Sequence, residues 1–346
     1  AMKKSYFDTE LAIIQAPMAG VQNAKLAEAV CRAGGLGSLP CAMLSKEQLI
    51  SELEYLSNAT DKPYNLNFFC HHTPAYTKQQ QAAWHTLLSP YLEEFNVDVS
   101  ALSTVASRQP INQEVIDVIA PYKPPVISFH FGLPEAAIIS QIKEWGGTVL
   151  SSATTLAEAK WLVANGADAV IAQGLQAGGH RGHFLSMDLS LQLTTQELVG
   201  ACVELDIPTI AAGGIATPED VSLYQKLGVI AVQVGSAYLL TEEATTSSLH
   251  RQALISQQAG STALTTLFSG RAARGITNRG MKELGATPQH VPPFPYASIA
   301  ITALRTHAEA NNDSGFSPLW CGEKFINRDG LSAAKITQLL MQGWQD

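Results

Sequence analysis

The sequence predicts an α/β fold, a TIM (β/α)8 barrel, on three observations. Short apolar runs alternate with longer segments of helical period, and the alternation occurs eight times. The runs are apolar on both faces, as parallel strands covered by helices are. Polar and glycine residues gather just behind the runs, where a barrel carries its active site. A doubly wound open sheet is the alternative, but it seldom repeats so regularly.

The elements follow in order. "AIIQAPM" (12–18) reads as strand one, and "NAKLAEAVCRAGG" as a helix with Leu26, Ala29, Val30 and Ala33 on one face. "LGSLP" (36–40) is strand two, and "SKEQLISELEYLSNA" is an amphipathic helix with Ser45 as its N-cap. "PYNLNFF" (63–69) is strand three. Residues 71–110 then break the rhythm and read as an insertion with a helix-like "TKQQQAAWHTLLSPYLEEF". "INQEVIDVIAPY" restores a helix, followed by strand four, "PPVISFHFG" (124–132), and its helix "PEAAIISQIKEWG". "TVLSSA" (148–153) and "DAVIAQG" (168–174) are strands five and six, with "TLAEAKWLVANGA" between them. After the helix "QELVGACVELD" comes strand seven, "IPTIAAGGI" (207–215). Thr217 caps the next helix, with Pro218 at its first position and acids in its first turn. "VIAVQVGSAYLL" (229–240) contains strand eight. The expected division is a barrel over 1–245, interrupted at 71–110, and a mostly helical cap region over 246–346 packed at the barrel mouth.

Bulk properties narrow the function. Of 346 residues, 46% are hydrophobic and 15% charged, enough apolar material for a sizeable core. A net charge of -8 argues against nucleic acid or an anionic membrane as partner. The five cysteines, Cys31, Cys41, Cys70, Cys202 and Cys321, are scattered without a CxxC pair, which suits a reducing cytoplasm and predicts neither a disulfide framework nor a zinc site. No signal peptide and no membrane span is legible.

Strand one ends in Gln15-Ala16-Pro17-Met18, strand three near Asn67 with His71 and His72 beyond, and strand four in His130. Strand six ends in Gln173 and leads through Gly178-Gly179 to His180 and His183. Strand seven ends in Gly213-Gly214, and strand eight in Gln233-Val234-Gly235-Ser236. Glycine where a strand gives way to a helix leaves amides free and lets an anion approach without a Cβ in the way. In barrels this pair of loops frequently holds a phosphate, and Ser236 adds a hydroxyl.

"IIQAPMAG", "NLNFF", "AQGLQAGGHRG", "IPTIAAGGI" and "VQVGSAYL", in this order and spacing, resemble the nitronate monooxygenase (2-nitropropane dioxygenase) family. The later "FSGRAARGITN" and "SPLWCG" resemble its bacterial class I members, so the likeness runs from residue 13 to about 322. It implies an FMN-containing barrel that oxidises alkyl nitronates, such as propionate 3-nitronate, with O2 to a carbonyl compound and nitrite. The implied role is detoxification, without NAD(P)H or metal. FMN would be held by Asn67, Gln173, Gly178, Gly179, Gly213, Gly214 and the run Gln233, Val234, Gly235, Ser236, with Ala16, Pro17 and Met18 along the flavin. His180 matches the family's catalytic base; His130, His183 and Tyr296 are the substrate-binding candidates.

The chain departs from the pattern at Gln176, where Glu is common, and at Cys321, where Ser is common. Arg271 and Arg274 read as structural ion pairs, and His71 and His72 as loop residues. Two other functions share these features: an FMN-dependent enoyl-acyl-carrier-protein reductase using NAD(P)H, and a flavin-binding protein without turnover. Expected partners are a nitronate or nitroalkane and O2, with the chain a monomer or homodimer.

Overall fold

The computed structural model describes residues 4–256 and 260–346. Eight parallel strands form the barrel. They are β1 (Ile13–Gln15), β2 (Gly37–Pro40), β3 (Tyr64–Phe69), β4 (Val126–His130), β5 (Thr148–Ala153), β6 (Ala169–Gln173) and, past a two-residue β7 (Gly179–His180), β8 (Thr209–Ala212) and β9 (Ala231–Val234). Neighbours run in the order β1-β9-β8-β6-β5-β4-β3-β2. A parallel bridge between Ile14 and Leu36 closes the ring, with Leu36 N donating to Ile13 O at 2.8 Å and Gln15 N to Leu36 O at 2.9 Å. Among the described residues the barrel sheet itself therefore has no open edge.

The outer helices begin where the caps dictate. α1 (Ala24–Arg32) starts at Asn23, whose side chain accepts from Lys25 N. α2 (Lys46–Ala59) opens on a reciprocal capping box between Ser45 and Gln48. α3 (Lys78–Glu94) lies in the 71–110 insertion, and α4 (Gln113–Ile119), α5 (Ala136–Glu144), α6 (Leu156–Ala164) and α7 (Thr195–Glu204) follow. α8 (Pro218–Leu227) joins Thr217 to Asp220 in another capping box, with Pro218 at its first position. Leu26 and Val30 of α1 and Leu198 and Val199 of α7 are fully buried against the strands, each contributing about 1.5–3 kcal/mol of burial.

Two local readings change. Strand seven ends at Ala212, not residue 215, because Gly213 (φ 118°) and Gly214 (φ 73°) leave the extended region. The strand bodies are not wholly apolar: Gln15, Ser38, Asn65, Ser128 and Ser151 are buried with no exposed surface. Most of their polar atoms are paired, as burial demands. Asn65 Nδ2 donates to Ser38 Oγ at 2.9 Å and to Ser128 Oγ at 3.0 Å.

Beyond the barrel come α9 (Ser248–Ile255), the hairpin β10 (Thr262–Thr265) and β11 (Ala273–Ile276), α10 (Arg279–Leu284), α11 (Ala297–Ala310) and α12 (Ala333–Met341). Trp84, Leu88 and Leu92 of α3 pack with Ala297, Ile301 and Leu304 of α11, so the insertion and the C-terminal region share one core. The hairpin was not foreseen. β11 pairs antiparallel with β7, so Gly179-His180 forms the edge of a three-stranded sheet. α12 packs against α1 and α8, and its Thr337 Oγ1 lies 2.7 Å from the Tyr238 hydroxyl. All five cysteines are free thiols. Among the described residues no helix is long and apolar enough to cross a membrane.

Candidate active site

One cavity opens at the C-terminal ends of the barrel strands, and the sequence-predicted rim converges on it. Ala16, Pro17 and Met18 form one wall with Gly235 and Ser236; Asn67, His130 and Gln173 form another. Gly178, Gly179 and His180 enter from the β6 loop. Gly213, Gly214, Gln233 and Val234 complete the far side. Among the described residues no Asp or Glu lines the cavity, and its lysine or arginine residues are Arg108 and Lys324.

The histidine loop is held from below. The Gln173 side chain spans it, donating from Nε2 to His180 O at 2.9 Å and accepting from Gly182 N at 2.8 Å. His130 Nε2 lies 3.0 Å from the same His180 carbonyl. A carbonyl only accepts, so Nε2 carries the proton and Nδ1 accepts from Ser152 Oγ at 2.9 Å. Burial first, then the backbone bond to His180 acting against it, leaves His130 lowered to about 4, so it is neutral near pH 7. Both its ring nitrogens are thereby committed to the scaffold.

Arg181 fastens the loop from the other side. Its fully buried guanidinium donates to Gly174 O at 2.6 Å, to Gln173 O at 2.9 Å and twice to Gln192 Oε1, at 3.0 and 2.7 Å. Buried Glu158 accepts from Phe184 N and from Leu185 N at 3.1 Å. The glycines therefore sit in a braced loop. A Cβ on Gly179 (φ 75°) would meet no atom within 4 Å, so the loop leaves space there.

His180 stands among Phe294 (5.5 Å between ring centroids), Trp320 (5.6 Å) and Phe131 (6.5 Å). Its Nε2 lies 2.7 Å from Ser269 Oγ. When the Ser269 hydroxyl donates to Arg271 O, 3.4 Å away, its oxygen accepts from His180 Nε2–H. Nδ1 then holds the free lone pair. Burial, and next the charge of Arg108, push His180 well below the usual histidine value. A neutral imidazole with a free lone pair is built to take a proton.

The opposite end suits an anion. Among the described residues, the amides of Gly213, Gly214, Gly235 and Ser236 donate to no other group. Ser236 Oγ accepts from Gly322 N at 2.9 Å, which leaves its hydrogen to donate elsewhere. Lys324 lies on the same rim and pairs with Asp220 at 2.7 Å. Gln233 Oε1 is buried without a partner. Free amides at one end, an orphaned amide oxygen along the floor and an apolar Pro17-Met18 wall fit a flavin with its phosphate on the glycine loops.

Two candidates stand elsewhere. His183 is buried but is not among the cavity's lining residues; its Nδ1 has no partner, and its carbonyl accepts from Arg271. Tyr296 stacks on Tyr76, with centroids 4.7 Å apart, and is also outside the lining. His71 is buried among Phe69, Phe131 and Phe294, while His72 is exposed. Arg274 does form an ion pair, with Glu323 at 3.2 Å. Arg271 instead lies over the Phe131 ring, 4.1 Å from its centroid.

Arg181, Ser269, Arg108 and Lys324 belong to the site by position in the fold and not by any pattern in the sequence. Arg181 stands inside "GGHRGH", and its burial without a neighbouring acid in sequence left no signal. Gln176 is also clarified. Its Oε1 accepts from Thr195 N and Thr195 Oγ1, both at 3.0 Å, at the start of α7. Either Gln or Glu performs that role, which reaches His180 only through the loop.

A parallel barrel with this rim defines a flavin-dependent oxidoreductase. The chain belongs to the nitronate monooxygenase family, whose model matches residues 1–343, and oxidation of nitronates is its reaction. It is 36% identical over 332 residues to a nitronate monooxygenase of Paraburkholderia phytofirmans, covering 95% of this chain and 90% of that one. It is 35% identical to one of Pseudomonas aeruginosa, covering 95% of each. A nitroalkane oxidase from Streptomyces ansochromogenes superposes with a TM-score of 0.88 at 32% identity, covering 97% of this chain and 96% of that one. FabK from Thermotoga maritima, at TM-score 0.70 and 22% identity over 98% of this chain and 94% of that one, shares the fold.

Proposed function

We propose that the flavin is FMN and that the enzyme oxidises alkyl nitronates of the propionate 3-nitronate type with O2, releasing a carbonyl compound and nitrite. The observation that carries this reading is the convergence on one cavity of free glycine amides at one end and the neutral His180 at the other. Gly213, Gly214, Gly235 and Ser236 would hold the phosphate, and Gln173, Asn67 and the Ala16–Met18 wall would lie along the ring. FMN supplies the redox chemistry; the chain supplies position and electrostatics.

His180 takes the proton from carbon when the substrate arrives as a neutral nitroalkane. When it arrives as the anion, Arg108, in a cavity whose described lining holds no carboxylate, favours its entry. Gln173 and His130 keep the imidazole in place by holding the His180 carbonyl. We read 1–245 as the cofactor-bearing barrel, and 246–346 with the 71–110 insertion as the part that shapes the substrate pocket. The free thiols favour a cytoplasmic enzyme. The test is the absorption spectrum of the purified protein, release and identification of the chromophore, and anaerobic titration with propionate 3-nitronate. Released FMN and bleaching by the nitronate alone are the expected results. Bleaching by NADH and not by nitronate would assign a reductase instead.

A further inference from the structure

The two cations of the cavity differ in one respect. Lys324 is neutralised by Asp220 at the start of α8, beside the Gly213-Gly214 loop. Arg108 has no such partner. Among the described residues it enters no ion pair, and its guanidinium makes one long contact, 3.4 Å to Ser107 Oγ. It comes from the 71–110 insertion, not from the barrel strands, and lines the cavity. Its Cζ lies 5.9 Å from the Phe294 ring centroid, and the same ring is 5.5 Å from His180. Arg108 and His180 thus flank one aromatic side chain. Arg108 also exerts the largest charge effect on His180.

A partly buried guanidinium without a carboxylate is an incomplete pair. Its planar fork matches a carboxylate through two parallel N–H donors. It stays cationic near pH 7: burial, then the Arg305 charge, lowers it only to about 10. Resting on the nitronate-oxidising reading, we propose that Arg108 is the specificity-determining residue, binding a carboxylate on the substrate's tail while the nitronate carbon lies at His180. The enzyme then selects nitronates that carry a second anionic group.

The experiment compares kcat and KM for propionate 3-nitronate and for 1-propyl nitronate, in which a methyl group replaces the carboxylate. Wild type, Arg108→Met and Arg108→Lys are each measured with flavin content and melting temperature as controls. Wild type favours the carboxylated substrate in kcat/KM. Arg108→Met lowers that preference by about 10–100-fold, chiefly through KM, as loss of a charge-assisted hydrogen bond requires. Arg108→Lys restores part of it. A preference that Arg108→Met leaves unchanged, with both nitronates turned over, overturns the assignment of Arg108 alone. Wild type that turns over neither nitronate overturns the enzymatic reading, and the assignment with it.

Discussion

Acid should unfold this protein through its buried histidines, before its carboxylates titrate. Burial is the first cause in each case. His71, His130 and His250 are lowered to about 4 and His183 to about 3. In the unfolded chain the same side chains take a proton near pH 6.5. The native state therefore binds fewer protons, and stability falls as pH drops below about 6.5, continuing until the folded values near 4 are reached. At pH 5.5 the unfolded form of one such histidine is mostly protonated and the folded form is not, a difference on the order of 1 kcal/mol. For all four groups the slope reaches about 5 kcal/mol per pH unit between pH 6 and 5. Against a total stability of about 5–15 kcal/mol, that unfolds the protein within roughly two units. Urea unfolding monitored by tryptophan fluorescence from pH 8 to 4.5 measures it. A midpoint independent of pH between 6.5 and 5 would refute the argument, because carboxylates alone act lower. His250→Phe, which removes one titrating group outside the histidine loop, should reduce the slope by on the order of 1 kcal/mol per pH unit.

Three further predictions follow from the site. His180→Asn should retain flavin yet slow turnover of neutral nitroalkanes by about 10²–10⁴-fold, the usual contribution of a general base; undiminished nitrite release removes His180 from that role. Arg181→Met removes the donor from Gln173 O and Gln192 Oε1 and leaves Gly174 O only Ala177 N, and should cost about 2–4 kcal/mol in urea unfolding. A change below about 0.5 kcal/mol would show that the loop is held without it. Gln176→Glu keeps the acceptor for Thr195 and places a negative charge at the start of α7, so stability should hold or rise by up to about 1 kcal/mol. A clear loss of stability would show that the amide N–H of Gln176 is required.

Much of the molecule was legible in its sequence because the signals are local. Ser45 with Gln48, and Thr217 with Pro218 and Asp220, determine helix starts through bonds made within four residues. Apolar runs of strand length separated by amphipathic segments determine a covered parallel sheet, and eight of them determine a barrel. Once the barrel is known, the ends of the strands determine which glycines and polar residues face the same cavity. That is why Asn67, Gln173, Gly214 and Ser236 could be named together although they are far apart in the chain.

The rest depended on contacts between distant segments, which no local period encodes. The hairpin β10-β11 is visible as a strand pair only when Gly179-His180 completes its sheet. Ser269 reaches His180 from 89 residues away. His183 and Tyr296 have the chemistry of site residues, but the fold turns one into the wall behind the loop and stacks the other on Tyr76. Arg108 carried no motif at all; its significance comes from where the insertion lays it down. In "AQGLQAGGHRGHF" the sequence determined that a backbone would pass close to a ligand, since Gly179 adopts the positive φ only glycine takes readily. Tertiary structure alone decided that the passage is rigid. His130 and Glu158 reach it from β4 and α6, while Gln173 and Arg181 cross-brace it from within, and buried polar groups must find partners wherever the fold supplies them.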